Sequence, residues 1–274
     1  MKPALAQVCS LNSGFSEDIE HYAAGHCQFI ELWLTKLEQY LQSHSHDDFR
    51  KLLEQQGVAT DVASFQGGLL TSQGESRREA WQLFERRIAL CQQLGIKTLV
   101  VACDVPRTLN QQDVDRVRMS LGQAAQLAGN SGCRVALEFQ AISGMGNNLQ
   151  TAAALVAEVG SPHLGICLDA FHYYVGPSKP DDLGLLSREN LFHVQLCDLA
   201  DVPREFAADS HRILPGDGDI PLAPLVERLR EIQYDGYVSV ELLNPRIWQI
   251  PPRQFGEIAM TALRKVLGLA AMDG

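Results

Sequence analysis

The sequence predicts a single α/β domain, residues 1–274, built as a (β/α)8 barrel. Three observations carry this expectation. Eight short apolar, β-rich runs alternate with helix-period segments along the 274 residues. No Pro-, Ser- or Gly-rich linker divides the chain, and α/β barrels commonly reach about 250 residues as one domain. Four oxygen-bearing side chains then close four of the later runs: Glu138 in RVALEFQ, Asp169 in LGICLDAFH, Gln195 in FHVQLCD and Glu241 in YVSVELLNP.

In chain order, the first strand is expected in ALAQV and the second in QFIEL. The amphipathic segment DFRKLLEQQG follows and ends at Gly57, where a left-handed C-cap turns the chain into a third strand, VATDVAS. RREAWQLFERRIALCQQLG ends likewise at Gly95 before KTLVVA, and VDRVRMSLGQAAQLAGNSG runs to Gly132 before CRVALE. LGICLD and LFHVQLC are the sixth and seventh strands, LAPLVERLREIQ is a helix, and YVSVEL is the eighth strand. The tail PPRQFGEIAMTALRKVLGLAAMDG reads as the closing helix. Eight strands suit a closed barrel better than an open doubly wound sheet, which usually has about five or six. Neither GxGxxG nor GxxxxGK[ST] follows the first strand, which argues against a nucleotide fold.

Composition sets limits on partners. With 46% hydrophobic residues a large core can form, while 33 acidic against 23 basic residues leave a formal charge of −10. That sign repels phosphodiester backbones and offers no basic patch to nucleic acid or anionic membrane. The N-terminal MKPALAQVCSLNSG lacks the apolar core of a signal peptide, so a soluble cytoplasmic protein is expected. Seven cysteines, an odd number without CxxC, lie mostly in apolar runs and read as reduced core residues.

The four strand-end residues are 31, 26 and 46 residues apart, so the first two intervals fit one βα unit each and the third calls for an inserted loop. The segment HRILPGDGDIPL, with its Pro-Gly-Asp-Gly turn, supplies it. Three carboxylates and one amide converging on a point repel if left empty, and a divalent cation relieves the repulsion. Glu138, Asp169, Gln195 and Glu241 are therefore the expected metal ligands. An all-oxygen set favours Mn2+ or Mg2+, with Co2+ or Zn2+ as the softer options. Taken singly, a strand-end acid is more often a loop partner or a helix N-cap.

Around these lie candidate substrate-binding residues. His172, three residues after Asp169, can reach a hydroxyl or bond a carboxylate. Arg212 offers a fixed fork of donors to an oxyanion, with His211 beside it, although the same turn can be purely structural. In FIELWLTKLEQYL, Trp33 can wall a pocket and Lys36 can meet an anionic group, unless Glu31 and Lys36 simply pair on the surface. His193 shares the inward side of its strand with Gln195 and is expected to pack or to bond Asp169 or Glu138.

At these residues the chain resembles the xylose isomerase-like TIM-barrel superfamily. The similar stretches are FIELWLTKLEQYLQSHSHDDF, VALEF, LDAFHYY, DSHRILPGDGDIPL and VSVELLNPRIWQI, which span nearly the whole chain and lie nearest the inosose isomerase branch. The resemblance implies one divalent ion on Glu138, Asp169, Gln195 and Glu241. It also implies a small keto-sugar or keto-cyclitol as partner, isomerised or epimerised by proton transfer through an enediolate, with Glu138 and Glu241 as the proton-handling pair. Isomerase-like relatives usually carry His at the third ligand position. Gln195 is instead similar to the bacterial 3-dehydroshikimate dehydratases, so the alternative is a lyase that expels a β-hydroxyl. Endonuclease IV shares the barrel but holds three zinc ions with additional histidines, whereas here the early strand ends carry Ser10, Leu32 and Phe65. No Lys or Arg cluster marks a phosphate site, which points to a non-phosphorylated substrate. Barrels of this kind often associate through helix faces, so a homo-oligomer is possible.

Overall fold

The fold comes from a computed structural model, which describes residues 1–269. The last five residues of the expected closing helix lie outside the described residues. Among the described residues, eight strands follow one another as a closed barrel: β1 Lys2–Ala6, β2 Phe29–Trp33, β3 Ala59–Gln66, β4 Thr98–Cys103, β5 Arg134–Phe139, β6 Leu164–Asp169, β7 Leu191–Leu196 and β8 Tyr237–Val240. The helices are α1 Phe15–Ala24, α2 Leu34–Tyr40, α3 His46–Gln56, α4 Gly74–Leu94, α5 Gln111–Asn130, α6 Leu149–Val159, α7 Ala170–Val175, α8 Leu222–Glu231 and α9 Pro252–Leu267. Every strand-like run in the sequence forms a strand. No helix among the described residues is long and apolar enough to cross a membrane.

The chain forms two compact units, one of residues 1–61 with 194–269 and the other of residues 62–193. In the first, β1 pairs in parallel with β2, setting Ala6 opposite Glu31, and with β8, setting Leu5 opposite Val240. β7 pairs with β8 so that Gln195 faces Ser239. In the second unit, β4 pairs with β5 and β5 with β6, which sets Glu138 between Ala102 and Cys167. β4, β6 and β7 are buried along their whole length, as expected of parallel strands covered on both faces.

Local signals act where they were legible. Ser45 caps α3 by accepting the Asp48 N–H at 3.1 Å, while the Asp48 carboxylate accepts the Ser45 N–H at 2.9 Å. Gly57 and Gly95 end α3 and α4 in the left-handed region at φ 63° and 78°, a conformation only glycine adopts freely. α5 ends one residue earlier than the sequence implies, with Ser131 as C-cap and Gly132 taking the positive φ. The first strand also stops early. After Ala6 the chain winds into a 3-10 turn, Gln7–Ser10, in which the buried Gln7 side chain bridges the end of β2 to α1. Its Oε1 accepts the Trp33 N–H at 3.1 Å and its Nε2 donates to Asp18 at 3.3 Å.

Gly25, just past α1, shows what lets α9 pack closely in the first unit. A Cβ there would meet the Gly256 and Glu257 backbone at 2.8 Å, so a larger residue would force the two helices apart. The seven cysteines are all buried and free, as the sequence implied.

Candidate active site

In the unit of residues 62–193, Glu138 is the penultimate residue of β5 and Asp169 the last of β6. Asp169 is also the N-cap of α7, its Oδ1 accepting the His172 N–H at 2.9 Å. Glu138, Asp169 and His172 each bring a possible ligand atom within 4.8 Å of the others. All three are buried. His172 Nε2 lies 3.8 Å from Glu138 Oε1, and its Nδ1 accepts the Ala141 N–H at 3.4 Å. A ring nitrogen that accepts leaves the proton of a neutral imidazole on the other nitrogen, so the Ala141 contact favours the tautomer with N–H at Nε2. His193, in β7, is fully buried.

A second polar cluster lies in the other unit. Gln195, the penultimate residue of β7, donates from Nε2 to Glu31 Oε1 at 2.8 Å and to Glu241 Oε1 at 2.9 Å. Glu241 follows the last residue of β8, and its Oε2 accepts from Arg212 Nη1 at 2.9 Å. Arg212 is 1% exposed and also grips Asp209 through Nε and Nη2 at 3.0 and 2.8 Å. Its carbonyl accepts from Asn244 Nδ2 at 2.9 Å. A charged guanidinium buried this deeply needs such partners, since burying it unpaired is strongly unfavourable.

The expected long insertion, carrying His211 and Arg212, is held by Asp198. That carboxylate accepts three backbone N–H groups, from Leu199, Gly216 and Ile220, each at 2.9 Å. Two backbone bonds between Asp198 and Ile213, both 2.9 Å, tie the residue after Arg212 to the end of β7. A side chain at Gly218 would strike the Leu199 carbonyl and the Asp198 carboxylate, so the Pro-Gly-Asp-Gly turn requires that glycine.

The remaining candidates are engaged differently from one another. Trp33 is half-buried and occupies the N-cap position of α2, with no capping bond from its side chain. Lys36 is buried in α2 with Nζ 2.6 Å from Asp18 Oδ2, and it also donates to the Ser10 carbonyl. Its anionic partner is thus within the protein. The Glu31–Lys36 surface pair considered from the sequence does not form, because both residues are buried and Lys36 turns to Asp18. His211 is exposed, with Nδ1 accepting the Ala208 N–H at 3.0 Å. Glu31 as a buried member of the second cluster, and Asp198 as the anchor of the insertion, were missed. The signal for Asp198 was its place three residues after Gln195, where β7 has just ended.

A closed parallel barrel with buried acids at the ends of its later strands belongs to the class that builds its reactive site at those ends. The family of xylose isomerase-like TIM barrels matches residues 22–265, and the chain belongs to that family. Inosose isomerase of Bacillus velezensis is 26% identical over 243 residues, 87% of this chain and 87% of that protein. 3-Dehydroshikimate dehydratase of Pseudomonas putida is 27% identical over 267 residues, 93% of this chain but 40% of the relative. Among solved structures, the IOLI protein with a bound zinc atom superposes with a TM-score of 0.90 at 24% identity, covering 98% of both chains.

Proposed function

We propose that the protein is an isomerase or epimerase of a non-phosphorylated keto-sugar or keto-cyclitol. The observation that carries this reading is the pair of buried glutamates at strand ends, Glu138 and Glu241, each with its own polar partners. The inosose isomerase relative supports the same class of substrate.

The donor chemistry fits one divalent ion. Glu138 and Asp169 supply carboxylate oxygens within ligand reach of each other, and Gln195 and Glu241 supply an amide and a carboxylate. In a closed parallel barrel the C-terminal ends of all strands share one face, and we propose that these four residues hold the ion together there. Oxygen donors favour Mn2+ or Mg2+; the zinc in the IOLI protein makes Zn2+ the main competitor. Bound there, the ion would polarise a substrate carbonyl and ease loss of the neighbouring proton.

The residues of the chain do the proton work. One of Glu138 and Glu241 removes the proton beside the carbonyl, and the other returns a proton to the adjacent carbon or oxygen. His172, with N–H at Nε2, orients a substrate hydroxyl beside Glu138. Arg212 holds the Glu241 carboxylate at a fixed angle rather than reaching substrate first, because its Nη1 and Nη2 already meet Glu241 and Asp209. Burial of these groups excludes water, which strengthens each interaction and protects a reactive enediolate. Buried free thiols suit a cytoplasmic setting for this activity.

A second reading has its own observation. Gln195 resembles the third ligand of the dehydratase-like set, and the Pseudomonas putida relative aligns with 93% of the chain. The same carbanionic intermediate then expels a β-hydroxyl. Proton NMR in D2O with Mg2+ and a panel of inososes, ketoses and 3-dehydroshikimate separates the readings. Deuterium entering beside the carbonyl with all hydroxyls retained supports the isomerase. New vinylic or aromatic protons establish the dehydratase, and no change with any substrate sinks both.

A further inference from the structure

Glu31 lies outside every proposed chemical step, yet it is a fully buried charge in β2. Its Oε1 accepts from Gln195 Nε2 at 2.8 Å, and Glu241 Oε1 accepts from the same nitrogen at 2.9 Å. A primary amide has two N–H donors on one atom and an acceptor on the other, and ionised carboxylates only accept. Turning the Gln195 amide over would set its oxygen against two carboxylate oxygens at under 3 Å. The nitrogen and oxygen of Gln195 are therefore distinguished by chemistry, and the nitrogen is the atom set against both carboxylates. Arg212 reinforces the arrangement by holding Glu241 Oε2, which keeps Oε1 turned toward Gln195.

We infer that Glu31 is a positioning residue that fixes the amide of Gln195 in one of its two flip states, so that this strand end always presents a neutral carbonyl oxygen. The inference rests on the proposed role of Gln195 as a ligand. Two carboxylates gathered on one amide nitrogen oppose the flip more strongly than Glu241 does by itself.

The test uses the full chain labelled with 15N at glutamine and stripped of metal. The Gln195 side-chain signals are identified by their absence in Gln195→Leu. In the wild type these protons exchange with solvent at least about tenfold more slowly than those of the exposed Gln92, and Glu31→Leu removes most of that protection. Glu31→Gln, which keeps one acceptor without enforcing it, falls between the two. In calorimetric titration with Mn2+, Glu31→Leu weakens binding by about tenfold or more, the usual effect of losing a partner that orients a ligand. Fast exchange in the wild type overturns the inference, as does Glu31→Leu with unchanged exchange and unchanged Mn2+ affinity. If Glu31→Leu fails to fold by circular dichroism, Glu31→Gln decides: wild-type exchange and affinity in that variant overturn the inference. A wild type that binds no Mn2+ but shows a protected, Glu31-dependent amide supports the flip assignment and overturns the metal reading alone.

Discussion

Arg212 and Glu241 form a buried ion pair, Nη1 to Oε2 at 2.9 Å, with side chains 2% and 10% exposed. The same guanidinium binds Asp209, so one planar fork connects the insertion after β7 to the residue that follows β8. Arg212→Met leaves the Glu241 charge buried without this partner, and removing one member of such a pair typically costs about 3–5 kcal/mol. Urea unfolding is expected to show a loss of this order. Arg212→Lys keeps the charge but not the fork, and recovers only part of it.

Glu138→Gln and Glu241→Gln test the proton-handling pair. Each variant is expected to lower the rate of solvent deuterium entry by about 10²–10⁴-fold, the usual contribution of a positioned acid or base. Substrate affinity, read by calorimetry, should change far less. Full turnover in both variants would remove the two-glutamate mechanism, and binding without turnover in the wild type would make the barrel a sugar-binding module.

The strands and helix caps were legible in the sequence because their causes are local. LGICLD is buried throughout, Gly57 and Gly95 sit where a left-handed residue must, and Ser45 reaches a backbone N–H three residues away. Strand ends also marked Glu138, Asp169, Gln195 and Glu241. Hidden from that reading were the partners: Glu31 meets Gln195, 164 residues away, and Lys36 meets Asp18, 18 residues back on another helix. A buried charge looks like a surface charge until its distant counterpart is known. Arg212 illustrates the same point, since the sequence left its fork open between a substrate oxyanion and a structural acid, and the acids it meets, Glu241 and Asp209, are visible only in the fold.

Asp18 predicts a pH dependence of stability. Burial, only partly offset by Lys36 and by the Ser13 hydroxyl, raises its folded pKa from 3.8 to about 6. Between these values the folded state holds more protons than the unfolded state, so stability from this group is greatest below about 4 and is lost as pH rises through about 6. Other carboxylates add their own slopes, so the comparison is with Asp18→Asn. Subtracting the unfolding free energies of the two proteins across pH 4–7, roughly this interval, should leave a difference that falls with rising pH. A flat difference would show that Asp18 titrates normally.

Asp198→Ala is expected to loosen the insertion without touching substrate. Three backbone N–H groups lose a charged acceptor, each such bond being worth about 1.5–3 kcal/mol with water replacing part of it. Hydrogen exchange by mass spectrometry should therefore accelerate across residues 199–220, and turnover should fall because Arg212 sits in the freed segment. Unchanged exchange there would mean that the backbone bridge between Asp198 and Ile213 holds the loop by itself.

Cys9 gives the last prediction. Its thiol donates to the Val240 carbonyl at 3.3 Å and accepts the Leu242 N–H at 3.1 Å, bridging the two residues that flank Glu241. The bridge stands where β1 has already left the sheet for its 3-10 turn, so the thiol replaces a strand as the neighbour of residues 240–242. Burial pushes the Cys9 thiol well above its ordinary value of 9.0; the Leu242 N–H opposes it, and the nearby Glu241 and Glu31 charges add to the rise against a small pull from Arg212. The native protein at about pH 8 should therefore resist a thiol-specific reagent at this position, because the thiolate is the reactive form. Cys9→Ala removes the bridge and should cut turnover several-fold while the fold persists; Cys9→Ser, which keeps a donor and an acceptor, should restore part of it. Equal turnover in wild type and Cys9→Ala would show that the sheet bond from the Glu241 N–H to the Leu196 carbonyl, 3.0 Å, positions that glutamate without help.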